Sequence, residues 1–476
     1  MILRGARVGA QIVDVELDGG LITAIQPTGA TSSSGSHEVV ELDGRSLVPG
    51  LWDNHVHFTQ WALQSQRLDI AAASSAAETA HLIAAAIVAD SPTPFVAVGF
   101  RDGLWPDAPN LEVLDAASAA PVVVVSGDLH SVWLNSAALR LYGHTATGSG
   151  LLREDDAFRV LGLIDSLPDI QLDQWADAAA RAAAARGIVG IVDYEMTWNL
   201  ESWTRRQSAG TDCLRVDFGV YTEHLERAIG EGLRTGDRVG ELLTVGNFKI
   251  LIDGSLNTRT AYCWDEYEGS AGEYGILTVP ELRLLELMTR ASGSGIEPAV
   301  HAIGDRANTI ALDAFEAIGC RGRIEHAQFL ADADVPRFAA LGVAASLQPD
   351  HAMDDRNVAE RYWAGRTRRV FPLRSLLDAG ATLLLGSDAP VSPLDPWRTL
   401  AAAVGRSRDG REPWHPEQAI GVASAIAASS RSTIAVGQPA DLVAVERDPG
   451  TATTDNLRTM PVYATLLGGR PTFGLE

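Results

Sequence analysis

The chain has 476 residues, 46% hydrophobic and 21% charged, the make-up of a globular protein with a sizeable core. Its formal charge of −23 argues against nucleic acid or an anionic membrane as partner. Cys213, Cys263 and Cys320 are too dispersed for a disulfide framework or a thiolate zinc site, and no apolar stretch is long enough for a leader or a membrane span, so a reduced cytoplasm is expected.

Residues 1–48 read as short strands, predicted over Ala6 to Val13, Leu21 to Ile25 and Glu38 to Leu42, around a serine-rich loop at 31–36. The other end, 436–476, has the same character. Asp441 to Val445 and Val462 to Leu467 are strand-like, with a turn at Gly468-Gly469. The two ends together predict one small β-sandwich domain.

Next comes the apolar run Leu47 to Trp52, leading into Asp53-Asn54-His55-Val56-His57. In a strand, side chains two apart share a face, so His55 and His57 can offer two imidazoles to one ion. Residues from about 60 to 165 contain two further strands, Phe95 to Phe100 and Pro121 to Ser126, and helical segments. They predict an α/β insertion after the first strand.

From about 171 a helix–glycine–strand unit recurs. Gln171 to Arg186 is a helix stopped by Gly187, with Ile188 to Val192 as its strand. Thr278 and Glu281 read as a capping box before a helix, followed by the strand Pro298 to Ile303. The unit returns through Asp305 to Ile318, Val335 to Leu341 and Leu373 to Ala379, each ended by a glycine and followed by an apolar strand. Parallel strands covered by helices on this count predict a (β/α)8 TIM barrel over 49–435. An open doubly wound sheet would want a glycine-rich phosphate turn, and none is present.

Chemistry-bearing residues fall at equivalent places near strand ends: Lys249, His301, His326 and Asp388, besides the His55/His57 pair. A lone strand histidine is usually a hydrogen-bonded core residue, and a carboxylate after a strand is usually a helix cap. A lysine inside a buried strand, however, needs a partner. Together the six would face one axial site, and imidazole with carboxylate is the donor set of a borderline divalent metal such as zinc.

At this point the sequence resembles the amidohydrolase superfamily, and more closely its amidohydrolase family 3 branch, related to N-substituted formamide deformylases. The residues behind this are the six above, with Ser126 to Asn135, Asp253 to Ala261, Val300 to Ala307 and Ser346-Leu347-Gln348-Pro349. The resemblance implies that His55, His57, His301, His326 and Asp388 bind one or two divalent ions, with Lys249 carboxylated and bridging when two are held. It also implies hydrolysis of a C–N bond in a small amide, with Asp388 taking and returning the proton. Leu129 and Asn257 stand where relatives usually carry Gly, which bears on pocket shape.

His130 is the candidate donor to the substrate carbonyl, and Asp128, Trp133, Asp253, Arg259 and Gln348 are the candidate substrate contacts. Trp61, Trp105, Trp198, Tyr262 and Trp264 fall in similar segments, where aromatics suit an apolar substituent or pack the insertion. A homodimer is common among such relatives, though no residue pattern of this chain shows one. The rival activities are lactone or ester hydrolysis and deamination, the latter disfavoured by Gly304 where a deaminase usually has Glu; a non-catalytic regulator is the rival class.

Overall fold

The computed structural model describes residues 1–29, 38–88, 94–100, 102, 105–127, 131–146, 148–153 and 155–475. The expected loop at 31–36 therefore lies outside the described residues.

Eight apolar strands build a parallel sheet: β1 Leu51–Val56, β2 Ile188–Asp193, β3 Arg215–Tyr221, β4 Leu243–Leu251, β5 Pro298–Ala302, β6 Gly322–His326, β7 Val343–Leu347 and β8 Leu383–Leu385. Each pairs with the next in parallel, from β1–β2 round to β7–β8. The circuit is completed just past β8, where the Asp388 amide donates to the His55 carbonyl at 2.7 Å and the His57 amide to Ala389 at 2.8 Å. Gly386 permits this approach, since a Cβ there would lie 2.7 Å from the His55 nitrogen. The architecture is a (β/α)8 barrel.

The helices between strands end where their glycines require it. Asp305–Ile318 stops at Gly319 (φ +68°) and Val335–Leu341 at Gly342 (φ +65°), both left-handed caps. The capping box expected at Thr278 does not form. That helix begins at Glu281 behind Pro280, and the Thr278 hydroxyl donates instead to the Leu251 carbonyl at 2.9 Å.

The chain ends form a second, eight-stranded sheet. Ser46–Pro49 pairs antiparallel with Leu442–Val445, which stitches one end of the chain to the other. Leu3, Val15, Leu47, Leu442 and Leu466 are among the buried residues of its core. The strand expected over Ala6 to Val13 is in fact two, Ile2–Val8 and Gln11–Asp18, reversing at Gly9 (φ +56°). The apolar alternation runs on through the turn, so the pattern alone cannot mark the reversal. Arg215 on β3 ties this sheet to the barrel by donating to both oxygens of Asp441, at 2.8 and 3.0 Å.

Residues Thr59–Ala179 form a separate compact unit. Its five-stranded sheet runs in the order Leu151–Arg153, Ser131–Leu134, Val122–Ser126, Phe95–Phe100, Leu68–Asp69. Buried apolar clusters cover both its faces. Trp133, expected at the substrate, belongs to one of them: it is fully buried, and its indole N–H donates to the Asn110 carbonyl at 3.2 Å. Trp105 likewise packs in this cluster and donates to Ala73. Among the described residues no helix is long and apolar enough to cross a membrane.

Trp133→Ala should therefore act on folding: denaturant unfolding is expected to show a loss of about 3–5 kcal/mol, the usual cost of emptying a buried aromatic site. An unchanged unfolding midpoint would contradict the buried assignment.

Candidate metal centre

The site is built where β1 and β8 meet. His55 and His57 alternate along the end of β1, and Asp388 follows β8 with a left-handed backbone (φ +57°). That conformation is uncommon outside glycine and turns the carboxylate inward. Its Oδ1 lies 3.4 Å from Nε2 of both His55 and His57. Lys249 Nζ, buried on β4, is 3.2 Å from His55 Nε2 and 4.4 Å above the Tyr194 ring. The His326 ring centroid lies 5.1 Å from that of His55, and His301 is 4.4 Å from His326. All six residues singled out in the sequence are thus brought into one cluster at the strand ends.

Among the described residues, two groups could hold a cation: His55, His57 and Asp388, and His326, His351 and Asp388; within each, the donor atoms lie within 4.8 Å of one another. His301 joins neither triad. Several of these imidazoles have one ring nitrogen buried without a hydrogen-bond partner: His57 Nδ1, His301 Nε2, His326 Nδ1 and His351 Nε2. Buried polar atoms are nearly always satisfied; of these four, His351 Nε2 lies 3.9 Å from Asp388 Oδ2 and His301 Nε2 3.5 Å from Asp253 Oδ1, and a cation fits as the missing partner beside His351.

The protonation states of three rings agree, whereas at His57 burial is outweighed by the Asp388 carboxylate and the ring is raised. Burial lowers His55 to about 4 and His301 to about 3, with Lys249 adding to each, and His326 falls well below its usual value for the same first reason. These rings are neutral at physiological pH, as metal ligation requires. Burial would raise Asp388, but His55, His57 and His326 outweigh it and hold the group well below the ordinary carboxylate range. Burial brings Lys249 down to about 8, against the pull of Glu325 and Asp388.

The amidohydrolase description matches residues 38–473 of this chain, nearly its whole length. The chain belongs to the amidohydrolase family. This amidohydrolase is 29% identical over 433 residues to Protein LONG AFTER FAR-RED 3 of Arabidopsis thaliana, covering 83% of this chain and 74% of that one. It is 26% identical over 486 residues to the N-substituted formamide deformylase of Arthrobacter pascens, covering 91% and 89%. An uncharacterised metal-dependent hydrolase from Pyrococcus horikoshii OT3 shares its fold, with a TM-score of 0.81 at 23% identity over 95% of this chain and 99% of that one.

Of the other expected site residues, Asp253 and Gln348 border the histidines, at 3.5 Å from His301 Nε2 and 3.4 Å from His55 Nδ1, but are engaged otherwise than expected. Asp253 is not free for substrate: its carboxylate accepts from the backbone amides of Tyr262, Ile303 and Gly304 at 2.9–3.1 Å, and so fixes the turn after β5. Burial raises it to about 7. Arg259 is tied to Ser270 at 3.2 Å and lies 3.5 Å from Glu273, joining none of the site groups. Gln348 is buried against His55, its amide nitrogen 3.4 Å from Nδ1, behind the ring rather than at its Nε2 face. Asp128 and His130, with Leu129, lie outside the described residues.

Three contributors were not expected from the sequence. Glu325 accepts from His55 Nδ1 at 2.7 Å, fixing the tautomer that leaves Nε2 unprotonated. It is itself held by the Tyr194 hydroxyl at 3.1 Å and by the buried guanidinium of Arg323. Asp53 accepts from the amides of His55 at 3.1 Å and Ser387 at 2.9 Å, bracing the seam from beneath. His351 opens the helix His351–Tyr362 after β7, with Nε2 3.9 Å from Asp388 Oδ2. A Glu directly preceding a strand-end His, and a His a few residues past a strand, are the signals that could have found two of them.

Glu325→Ala would strand the buried charge of Arg323. Urea unfolding should register a loss of about 3–5 kcal/mol, as for other broken buried pairs, whereas a loss below about 1 kcal/mol would show that the pair is dispensable.

Proposed function

We propose that this amidohydrolase cleaves the C–N bond of a small amide, an N-formyl or N-acyl amine. The observation that carries the proposal is the convergence of His55, His57, His326 and His351 on Asp388, in two groups of donor atoms that each lie within 4.8 Å of one another. The likeness to an N-substituted formamide deformylase over 91% of the chain supports the substrate class.

His55, His57, His301, His326 and Asp388 would hold one or two divalent ions, zinc being favoured by imidazole and carboxylate donors. Such an ion would supply Lewis acidity to the substrate carbonyl and make water a competent nucleophile at neutral pH. The Asp388 carboxylate takes the proton of the attacking water and returns it to the leaving nitrogen as that C–N bond breaks. A C–O bond forms in its place, so a carboxylic acid and an amine leave. Glu325 keeps the Nδ1 proton of His55 and so presents Nε2 to the cation side. Lys249, lowered to about 8 by burial, can give up its ammonium proton and then add carbon dioxide at Nζ with loss of a second proton, which turns a repelling ammonium into an anionic carbamate ligand.

Deamination is disfavoured by Gly304, where any side chain would meet the Tyr262 backbone: a Cβ would lie 2.1 Å from its carbonyl oxygen. Ester or lactone hydrolysis would use the same groups and is separated by substrate.

Two outcomes are expected of the zinc-loaded protein. In a panel of N-formyl amines, N-acyl amines, lactones and aminopurines, the amides should turn over fastest; preference for lactones, or turnover of none, would overturn the amide assignment. Asp388→Asn should lower kcat by about 10²–10⁴-fold, the usual worth of a general acid–base group, with the fold retained by circular dichroism. Activity within a factor of a few of wild type would remove Asp388 from the proton path.

A further inference from the structure

We infer that His351 is a ligand of a second divalent-cation site beside the first, with His326 as its companion and Asp388 shared between the two. The inference rests on the metal-dependent reading above and adds a donor that the six strand-end residues do not include.

The two oxygens of Asp388 address different neighbours. Oδ1 is 3.4 Å from Nε2 of both His55 and His57, whereas Oδ2 is 3.9 Å from Nε2 of His351. Two donors bound to one ion at roughly 2.0–2.2 Å each cannot be more than about 4.4 Å apart, so the separation from His351 suits a shared ion and is too long for a direct hydrogen bond. The His326 and His351 rings lie with centroids 6.4 Å apart and nearly parallel planes, at 21°, and their donor atoms fall within 4.8 Å of each other and of the carboxylate.

The ordinary role for such a residue, a histidine satisfied by its neighbours at the start of a helix, does not fit. His351 is 8% exposed, yet its Nε2 has no hydrogen-bond partner, and neither has His326 Nδ1. Burying one such polar atom unpaired costs about 1–3 kcal/mol, and the one on His351 lies 3.9 Å from Asp388 Oδ2. The position is also held firmly. The His351 amide donates to the Gln348 carbonyl at 3.1 Å, and Asp350 just before it is gripped by Arg398 at 3.0 Å and Arg408 at 3.4 Å. A ligand carried on the loop after β7 is thus fixed without belonging to a strand. Carboxylate sharing between neighbouring ions is a recurrent way to build a two-cation hydrolytic centre.

The test is to strip the full-length protein with chelator, reload it with zinc, count bound ions per chain by elemental analysis and measure their affinities by competition with a chromophoric chelator. Wild type should hold two zinc ions and His351→Gln one tightly, with the second weakened by at least about 100-fold. Equal counts and affinities in the two proteins would overturn His351 as a ligand while leaving the metal-dependent reading intact. A wild type that takes up no zinc would overturn both. Cobalt-loaded His351→Cys gives an independent answer if the Gln variant fails to fold. A thiolate-to-cobalt charge-transfer band is expected, and a folded, cobalt-bearing variant without it would exclude position 351 as a ligand.

Discussion

The seam between β8 and β1 is the constraint on which the rest of this protein depends. A parallel barrel has no edge only if its last strand finds its first, and here the bonds that do so come from the residues of the site: the Asp388 amide on the His55 carbonyl and the His57 amide on Ala389. Closing the sheet and assembling the donor cluster are one event. Gly386 makes room for it, and Asp53 bridges it by accepting from both the His55 and Ser387 amides. A side chain at 386, or loss of the Asp53 carboxylate, would disturb barrel and chemistry together.

Behind the seam, charge is buried in a way that only pairing makes tolerable. Glu325 lies among Arg323, His55, Tyr194 and Lys249, and although burial opposes ionisation, Arg323, His55 and Lys249 keep it well below the usual carboxylate range. Arg323 also reaches the Asn54 carbonyl at 2.7 Å and the Ser346 hydroxyl at 2.9 Å, linking β6 to β1 and β7. The network trades stability for rigidity, since an apolar replacement of matched volume would often fold as well. What it secures is a single tautomer and a single direction for His55, whose Nε2 lies beside both Asp388 and Lys249.

Much of this was legible in the sequence, for physical reasons. Continuous apolar strands, each preceded by a helix and its glycine stop, specify a covered parallel sheet, and strand-end residues of such a barrel share one mouth. That is why His55, His57, Lys249, His301, His326 and Asp388 could be grouped although they lie far apart along the chain. The failures have equally physical causes. Strict alternation would put Glu325 and His326 on opposite faces, but His326 has a left-handed backbone (φ +72°), and the turn lets both reach His55. His351 sits past a strand, where periodicity says nothing of direction. Asp253 and Trp133 have the chemistry of substrate contacts, yet one is consumed by backbone amides and the other by a core. Residue type alone cannot distinguish a group facing solvent from one whose partners are already inside.

The most direct measurement of the central claim is anomalous X-ray diffraction from crystals of the zinc-loaded protein, collected on either side of the zinc edge. An anomalous peak bounded by His55, His57 and Asp388 is expected, with ligand distances near the roughly 2.0–2.2 Å typical of zinc on nitrogen and oxygen. No peak in the barrel mouth, or one held by surface carboxylates alone, would contradict that claim.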